Sequence, residues 1–321
     1  IETFSDVFTR SKCKYVKWDM NRIFSEYYSQ KLDKKHMKEL SHRYYIGFYR
    51  LMEVLTKRFS EILFEGCAAG GNRFDLGILS YFPQIWASDN SDAMTRIDIQ
   101  RGYSYGYPLS TLGCHVSDIP NHQTLRKCSI QTRYNVAFFG CLGYEFNLKE
   151  ISKEDFIEVK RQVEEYKKYR EYLFDADFYR VYSKGGYHHF ELVSKDKEHA
   201  AYLYFQERAK AAKATLELDF KGLNDEYVYH IHSMDYHHSI LDFGGLVNQI
   251  APIHIRNGSG LHRLLAKFVK MNEKGEDIEA KGDLLNSAKL PISSAFVGTG
   301  FNDNTRLMKD FDSRLYLVDR K

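Results

Sequence analysis

The sequence changes its pattern near Asp175, and this change constrains the fold more than any other feature. Before it, short apolar segments alternate with stretches of helical spacing, which is typical of parallel βαβ units. After it, short segments rich in β-branched and aromatic residues follow one another, separated mostly by Gly, Asn or charged residues. This second pattern predicts an antiparallel β-sandwich. We therefore expect two domains, at residues 1–174 and 175–321.

Within the first half, spacing and capping residues predict individual elements. Apolar residues recur three and four positions apart across residues 35–64, which predicts one long helix. Ser91 and Ser152 are predicted N-caps, and Ser152 together with Asp155 resembles a capping box. The short apolar run at residues 136–139 is interpreted as one more buried strand. The pattern before the change is therefore that of an α/β domain.

Composition excludes several classes of protein. The 321 residues include 46 Lys and Arg against 43 Asp and Glu, and this balance gives no reason to expect a nucleic acid or a membrane as partner. There is neither an apolar run of about 18 residues nor a signal-peptide pattern at the start. Because the chain opens at Ile1 rather than at a methionine, and a cluster of charged residues begins already at Lys17, we expect it to be part of a longer protein. The cysteines form no CxxC pair, so we expect free thiols in a cytoplasmic protein: Cys13, Cys67, Cys114, Cys128 and Cys141.

Three polar clusters each follow a short apolar segment in the first half. Asp19 ends one segment, with Lys17 two residues before it; the glycine-rich residues 66–71 follow the next, and Asp89 follows a third. Functional groups of parallel βα units gather at the carboxyl ends of the strands, so we expect the clusters at one rim. Two carboxylates without a metal cluster or a phosphate loop suit glycoside hydrolysis. On a strand, Lys17 would lie on the same side as Asp19 and lower the pKa of that carboxyl.

The residues by themselves favour a plainer interpretation, in which the carboxylates are solvated loop-end groups and Lys17 is a structural lysine. Arg73 and Asp75 are interpreted as a structural pair rather than as catalytic residues. His115 and Asn121 are candidates for supporting a site. The other paired histidines fit solvated strands or loops better than a metal site, because no spaced carboxylate or cysteine completes a ligand set: His188, His189, His230, His232, His237 and His238.

Four motifs in the first half resemble, in order and spacing, those of glycoside hydrolase family 36 α-galactosidases. They are KWDMNR at residues 17–22, EGCAAGGNRFD at 65–75, PQIWASDNSDA at 83–93, and GCHVS at 113–117 followed by PNHQ at 120–123. Four long motifs in register are a specific signal. The resemblance covers roughly residues 12–145, and the remainder is similar to the family's C-terminal region more loosely.

The resemblance implies roles for individual residues. Asp19 would be the nucleophile and Asp89 the general acid/base of a retaining enzyme that cleaves melibiose- and raffinose-type α-galactosides by double displacement. The substrate-binding residues that it implies are Lys17, Asn21, Cys67, Gly70 and Trp86. For Trp86, support of the acid/base strand and a core role are alternatives to a contact with the sugar. The small residues Cys67 and Gly70 would let backbone and thiol approach the 2-hydroxyl of the sugar.

The resemblance also implies a fold. The chain would contain only the second half of a (β/α)8 TIM-type barrel, strands 4 to 8, followed by the C-terminal antiparallel β-sandwich. The first three barrel strands and the N-terminal β-sandwich of the family have no counterpart here. No metal or organic cofactor is expected, the expected partners are α-galactoside oligosaccharides, and we expect a homo-oligomer for the full-length protein.

Three hypotheses remain open at this point. The first is the α-galactosidase itself. The second is a sister enzyme of the same family, either an α-N-acetylgalactosaminidase or a galactosyl transferase. The third is an inactive fragment, because five strands cannot close an eight-stranded barrel.

Overall fold

The structure of the chain, a computed structural model, describes residues 1–21, 25–210, 215–292 and 307–321. Contacts within the chain divide it into two compact units. The first consists of Ile1–Leu125 and Ala137–Phe146, and the second of Arg126–Val136 and Asn147–Lys321. The first unit is α/β, and the second is built mainly from antiparallel strands.

The first unit alternates strands with helices, as the sequence predicts. Its strands are β1 (Tyr15–Trp18), β2 (Leu63–Gly66), β3 (Gln84–Ile85), β4 (Gly113–Ser117) and β5 (Cys141–Glu145). Its helices are α1 (Glu2–Ser11), α2 (Leu40–Arg58), α3 (Leu76–Leu79) and α4 (Ala93–Tyr103), with 3-10 turns at Met37–Glu39 and Leu109–Thr111.

The strands of this unit pair in parallel and in chain order. β1 pairs with β2, and β2 pairs with β3. A parallel bridge between Ile85 and Leu112 continues the order, and β4 pairs with β5. Because all of these pairings are parallel, the five carboxyl ends point the same way, as in a barrel of βα units.

Helix α2 confirms the long helix predicted from residues 35–64, although the structure limits it to Leu40–Arg58 after a 3-10 turn. Its side chains of Met52 and Leu55 are fully buried and pack in one cluster with Phe64 of β2. Burying a side chain of this size stabilises the fold by about 1.5–3 kcal/mol. This packing holds β2, whose carboxyl end carries the glycine-rich turn.

Two local predictions are wrong. Residues 136–139 form no strand, because α5 (Ile130–Ala137) ends within this run. The run is buried as expected, but a short apolar run indicates burial without distinguishing helix from strand. The N-cap of α4 is Asp92 rather than Ser91: Oδ2 of Asp92 accepts from the backbone N–H of Thr95 at 3.1 Å.

The long helix of the second unit, α6 (Lys153–Leu173), begins where its capping residue predicts. Oγ of Ser152 accepts a hydrogen bond from the backbone N–H of Asp155 at 3.0 Å. The prediction of an N-cap at Ser152 is therefore confirmed.

Short strands make up most of the second unit. They are β6 (Asp177–Lys184), β7 (Tyr187–Val193), β8 (His199–Gln206), β9 (Leu216–Leu218), β10 (Val228–Ser233), β11 (Tyr236–Ser239), β12 (Lys270–Glu273), β13 (Asp277–Lys281), β14 (Leu290–Ile292) and β15 (Asp312–Arg320). A 3-10 helix at Ile240–Gln249 and the helices α7 (Gly260–Leu265) and α8 (Gly282–Ser287) lie between them in the chain.

Six of these strands form one antiparallel sheet in the order β13-β10-β15-β8-β7-β6. Gly185 and Gly186 connect β6 with β7, with φ of 64° and 80°. Two successive positive φ angles favour glycine, and they give the hairpin a twist that matches its strands. The antiparallel pattern predicted after Asp175 is therefore present in the structure.

The core of the second unit joins this sheet to the separate two-stranded sheet of β9 and β14. Large aromatic side chains of the sheet, among them Tyr202, Tyr229 and Tyr316, are fully buried and pack in one cluster with Leu218 and Ile292. None of the described helices is long and apolar enough to cross a membrane.

Candidate active site

Asp19 lies directly after β1, at the carboxyl end of the strand, and its side chain is exposed. Oδ1 of Asp19 accepts from the backbone N–H of Ala69 at 3.4 Å, and the Cys67 thiol and the Asn21 amide are further donors. Partial desolvation acts to raise the pKa of Asp19, but these donors outweigh it and hold the pKa below its ordinary value. Asp19 is therefore an ionised carboxylate at neutral pH.

The glycine-rich turn lies between Asp19 and Asp89. Ala69 and Gly70 have φ of 45° and 79°, which turns the chain so that the N–H of Ala69 faces Asp19. A Cβ atom at Gly70 would lie 3.0 Å from Cα of Ser88 and 3.4 Å from the backbone nitrogen of Asp89. One turn thus contacts the residues at the ends of two different strands. The structure brings together the predicted site residues Asp19, Cys67, Gly70 and Asp89.

Arg73 fixes the backbone beneath this turn. Its Nη2 donates to the carbonyl oxygens of Cys67 at 2.9 Å and of Trp18 at 3.4 Å. The guanidinium therefore joins the carboxyl ends of β1 and β2. Asp75 instead caps α3 and accepts from the hydroxyl of Tyr49 at 2.5 Å. The prediction that Arg73 and Asp75 pair is wrong, since within the described ranges neither is a partner of the other.

Asp89 follows β3 and is exposed, and its orientation depends on Trp86. The indole N–H of Trp86 donates to Oδ1 of Asp89 at 3.0 Å. Trp86 itself is buried, and a Cβ at Gly113 of β4 would lie 3.2 Å from its ring. The absence of a side chain at Gly113 therefore leaves room for the indole that orients Asp89.

Two cations and an imidazole surround the ring of Trp86. Nζ of Lys17 lies 4.4 Å from the ring centroid, and Cζ of Arg96 lies 4.7 Å from it. The ring of His115 is tilted against the indole with 4.4 Å between centroids. A cation over an indole face is attracted by the negative potential of the ring. Trp86 therefore links Lys17 to Asp89 as well as filling the interior.

Lys17 does not lower the pKa of Asp19 as predicted. Its ammonium lies 3.5 Å from Oε1 of Glu65, its register partner on β2. The hydrogen bonds to Asp19, and not a contact with Lys17, account for the lowered pKa of Asp19. Lys17 keeps about a third of its side chain exposed, at 36%, and is therefore accessible to a ligand.

His115 and Asn121 contact the surroundings of the site. Nδ1 of His115 lies 2.9 Å from Oε2 of Glu145, at the end of β5. The His115 contact and a hydrogen bond from Ser91 outweigh the desolvation of Glu145 and lower its pKa. Asn121 is buried and closes its own loop by accepting from the backbone N–H of Gln123 at 3.0 Å.

Three charged residues of this region were not predicted: Glu65, Arg96 and Glu145. A charged side chain inside the apolar segment of β2 was a signal for Glu65, and the register of β1 with β2 places it beside Lys17. Arg96 lies on α4 and reaches the carbonyl of Gly113 on β4. No sequence pattern within α4 predicts this contact, because the contact depends on how the helix packs on the strands.

Four of the six paired histidines lie beside carboxylates, whereas His189 lies beside the hydroxyl of Tyr202 and His237 beside the side-chain oxygen of Asn272. The distances are 2.7 Å for His230 to Asp277, 3.3 Å for His232 to Asp319, 2.8 Å for His188 to Glu207 and 2.7 Å for His238 to Glu273. In the described part of the chain no group of three or more His, Cys, Asp or Glu side chains is arranged to hold a metal ion.

Comparisons with known proteins give the chain a family. Parallel strands that end in acidic side chains, followed by an antiparallel sheet domain, fit one class of proteins, the glycoside hydrolases with a TIM-type barrel. The sequence profile described as Melibiase matches residues 1–175, and the profile described as Glycosyl hydrolase family 36 C-terminal domain matches residues 187–318. The chain belongs to the melibiases of glycoside hydrolase family 36.

Individual relatives agree with this assignment. The chain is 42% identical over 236 residues to α-galactosidase AgaA of Geobacillus stearothermophilus, which covers 73% of this chain and 32% of AgaA. It is 42% identical over 217 residues to α-galactosidase 1 of Pediococcus pentosaceus, which covers 67% of this chain and 30% of that protein. The chain thus spans about a third of the length of the relatives that it matches.

Solved structures match over the whole chain. The crystal structure of an AgaA variant in complex with raffinose has a TM-score of 0.78 and 32% identity, covering 100% of this chain and 37% of AgaA. The α-galactosidase from Lactobacillus brevis has a TM-score of 0.79 and 32% identity, again covering 100% of this chain and 37% of that protein. A fragment of a TIM-type barrel followed by a C-terminal sheet domain is therefore the fold of this chain.

Proposed function

We propose that this chain carries the nucleophile and the general acid/base of a retaining α-galactosidase. The observation that carries the proposal is the shared turn between the two carboxylates. Ala69 donates to Asp19, and the adjacent Gly70 lies against the backbone of Ser88 and Asp89, so a single turn contacts the strand ends that carry both acids. Two carboxylates that flank one glycosidic bond are the catalytic equipment of most glycosidases.

The nucleophile in this proposal is Asp19. Its lowered pKa keeps it anionic, and its donors hold it at the end of a strand instead of leaving it free in a loop. Asp19 attacks the anomeric carbon, and the bond to the leaving oxygen breaks as a covalent β-galactosyl ester forms. Retention requires roughly 5–5.5 Å between the two carboxyl groups.

The general acid/base is Asp89. Oδ1 is occupied by the Trp86 N–H, and among the described residues Oδ2 accepts no hydrogen bond, so Oδ2 can hold the proton. Asp89 donates this proton to the leaving oxygen in the first step. In the second step it removes a proton from water, which attacks the ester and releases α-galactose.

We expect the remaining predicted residues to bind the sugar. About a third of the Lys17 side chain is exposed, and Asn21 lies within hydrogen-bond reach of Asp19. Cys67 is small and its thiol donates to Asp19, so thiol and backbone would approach the 2-hydroxyl of a sugar bound there. Bound raffinose and stachyose in AgaA structures support melibiose- and raffinose-type galactosides as the substrate class.

The test uses a protein with a complete barrel, here called the AgaA chimera, in which residues 1–321 replace the matching segment of Geobacillus AgaA. Nitrophenyl α-galactoside is the substrate. Asp19→Gly is expected to abolish turnover, and azide is expected to restore it with β-galactosyl azide as product. Asp89→Gly with azide is expected to give α-galactosyl azide instead, because azide then attacks the covalent intermediate. Full activity of Asp19→Gly, or the same azide anomer from both variants, would contradict the assignments.

Activity of the 321-residue chain by itself is a separate question. The described residues contain five parallel strands, in which β1 pairs only with β2 and β5 only with β4. A barrel of this type closes with eight. We propose that the isolated chain hydrolyses little or no substrate, and hydrolysis at ordinary enzyme rates would refute this.

Two sister activities are separated by substrate and product. A family member that acts on N-acetylgalactosaminides would prefer the N-acetyl substrate, whereas an α-galactosidase would prefer the galactoside. A galactosyl transferase would yield new oligosaccharides at high acceptor concentration. Rates of the AgaA chimera on both nitrophenyl glycosides, with product analysis at high sucrose, decide between them.

Three further assignments belong to this proposal. The boundary between residues 174 and 175 is supported by the two family profiles, of which the first ends at residue 175 and the second begins at residue 187, whereas the compact units divide between residues 146 and 147. The β9–β14 pair packing against the six-stranded sheet supports a sandwich in the second domain. Five free cysteines support a cytoplasmic protein, which cell fractionation would test. The homo-oligomer stays a prediction.

A further inference from the structure

Glu65 is a buried carboxylate that the proposed mechanism does not use. It lies on β2, two residues before Cys67, and its side chain is fully buried. Burying a charge without a partner costs free energy, so a carboxylate in this position is expected to have partners that stabilise it. The neighbouring residues are such partners.

The two oxygens of Glu65 have different partners. Oε2 accepts from the side-chain amide of Gln84 at 3.2 Å and from the hydroxyl of Tyr15. Oε1 accepts no hydrogen bond among the described residues, and the ammonium of Lys17 lies 3.5 Å from it. One oxygen is therefore held by neutral donors, while the other faces the cation of the site.

Lys17 lies between Glu65 and the ring of Trp86. The pairing of β1 with β2 places Lys17 opposite Glu65 in register, and the ammonium then lies 4.4 Å from the Trp86 centroid. Trp86 donates to Asp89. A lysine side chain has considerable rotamer freedom, and fixing it before the ligand arrives reduces the entropy lost on binding.

The charges around Glu65 come from several elements. Burial raises the pKa of Glu65, the charges of His115 and Arg96 oppose this rise, and the charge of Glu145 adds to it. The carboxyl is thus surrounded by charged groups of β4, α4 and β5 as well as by Lys17. A buried carboxylate among these charged groups fits a role in holding the Lys17 ammonium. This distinguishes Glu65 from a residue that only fills space.

We propose that Glu65 is a positioning residue of the galactoside site, which holds the Lys17 ammonium against Trp86 so that Lys17 can donate to a sugar hydroxyl. This inference rests on the proposed function. Glu65 is not in contact with substrate and acts only through Lys17.

The experiment measures kcat/KM of the AgaA chimera on nitrophenyl α-galactoside. Glu65→Gln keeps the size of the side chain and removes the charge, and Lys17→Met removes the ammonium. Each is expected to lower kcat/KM by about tenfold or more, in keeping with loss of a hydrogen bond from a charged group. The double variant is expected to be no worse than Lys17→Met alone, because the two residues act as one unit. Losses that multiply in the double variant would overturn the proposal.

A second measurement separates positioning from a structural effect. The same variants are assayed on the 2-, 3-, 4- and 6-deoxy analogues of the substrate. If Glu65 acts through a Lys17 contact with one hydroxyl, the loss in Glu65→Gln shrinks on the analogue that lacks this hydroxyl, and it shrinks on the same analogue in Lys17→Met. An equal loss on every analogue would show a general structural role and would overturn the proposal.

The matched control is Tyr15→Phe, which removes a donor to Glu65 without a contact to Lys17; its kcat/KM is expected to stay within about threefold of the parent. Should Glu65→Gln not fold, Glu65→Asp replaces it, because it withdraws the charge from Lys17 and is expected to show the same hydroxyl-selective loss. Asp19→Asn in the same chimera distinguishes a failure of the proposed function from a failure of the positioning role of Glu65. If Asp19→Asn stays active, the proposed function fails; if only the Glu65 comparisons fail, the function stands without this inference.

Discussion

Trp86 donates its indole N–H to Oδ1 of Asp89 at 3.0 Å. Trp86 is buried, whereas Asp89 is exposed at the end of β3, so a rigid interior group orients a solvent-facing acid. The sequence left open whether Trp86 supports the acid/base strand, contacts the bound sugar or fills the core. The structure connects it with the proposed acid/base and with Lys17, and this relationship leads to the first prediction.

Trp86→Phe should keep an aromatic ring for Lys17 and His115 but leave Oδ1 of Asp89 without its donor. Hydrogen bonds to charged groups contribute about 1.5–3 kcal/mol, so kcat/KM of the AgaA chimera should fall by about ten- to a hundredfold. The loss should be greater on raffinose than on a nitrophenyl galactoside, because the poorer leaving group depends more on the acid. Trp18→Phe on β1 is the control, and equal losses in the two variants would contradict the prediction.

Gly70→Ala should destabilise the first unit. Gly70 has φ of 79°, and its Cβ would lie 3.0 Å from Cα of Ser88, so both strain and contact with a backbone atom oppose the substitution. We expect a loss of about 1–3 kcal/mol in the free energy of unfolding. Both tryptophans, Trp18 and Trp86, lie in the first unit, so tryptophan fluorescence during urea unfolding of the chain reports on it selectively.

The control for this prediction is Gly102→Ala near the end of α4. A Cβ at Gly102 would meet nothing within 4 Å, and alanine is the better helix former. This variant should be neutral or more stable by up to about 1 kcal/mol. Similar destabilisation of both variants would show that the tight approach at Gly70 is not the cause.

Cys67 should stay a thiol at neutral pH. Burial and the neighbouring Asp19 raise its pKa to about 11, so the thiolate, which is the reactive form, is scarce. We expect iodoacetamide to label Cys67 very slowly near pH 7 and much faster as the pH approaches about 10 to 11. Mass spectrometry of the Cys67 peptide measures this rate, with Cys67→Ala to assign the signal. Rapid labelling at neutral pH would show that the thiol does not donate to Asp19.

Glu273 should make the second unit dependent on pH. The charge of Arg314 and the hydrogen bond from His238 outweigh the effect of burial and lower the pKa of Glu273 from 4.5 to about 2. Because the folded-state pKa is lowered, the stabilisation is fully present above about pH 4.5 and is lost as the pH falls toward about 2. The protection of β12 and β15 amides against hydrogen exchange in the full chain, expressed relative to the intrinsic exchange rate at each pH, should therefore fall over this pH range.

Glu273→Gln provides the corresponding mutational test. It leaves the buried Arg314 with Asp312, 3.4 Å away, as its remaining counter-charge, so the cost at pH 7 should be at most about 3–5 kcal/mol. The difference from the parent chain should shrink near pH 2, where Glu273 is itself protonated. Glu279→Gln removes an exposed ion pair with Lys321 and should cost less than about 1 kcal/mol. A pH-independent difference for Glu273→Gln would contradict this account.

Local patterns predicted the elements that depend on neighbours in the chain. Ser152 caps α6 because an N-cap needs only an N–H two or three residues further on. The helix within residues 35–64 followed from apolar spacing alone, as did the short strands before Asp19 and Asp89. The run at residues 136–139 failed because an apolar segment of this length is buried equally well as the end of a helix.

The partners of the site residues were beyond local patterns. The sequence placed Lys17 near Asp19 by strand periodicity, yet the ammonium is paired across the sheet with Glu65. Arg73 and Asp75 are close in sequence, yet one binds backbone carbonyls and the other caps a helix. These outcomes depend on strand register and on helix packing, which bring together residues that are distant in the chain.

The sequence by itself determined that an α/β half precedes a β half, and it marked the acids that follow strands β1 and β3, because periodicity and strand ends are properties of contiguous residues. Only the tertiary structure decided that Ala69 donates to Asp19 while Gly70 packs against Asp89, and that Trp86 and Glu65 surround Lys17. The physical reason is that hydrogen bonds and ion pairs depend on distances of a few ångströms. Such distances between separate strands are fixed by packing and register, and no local sequence pattern encodes them.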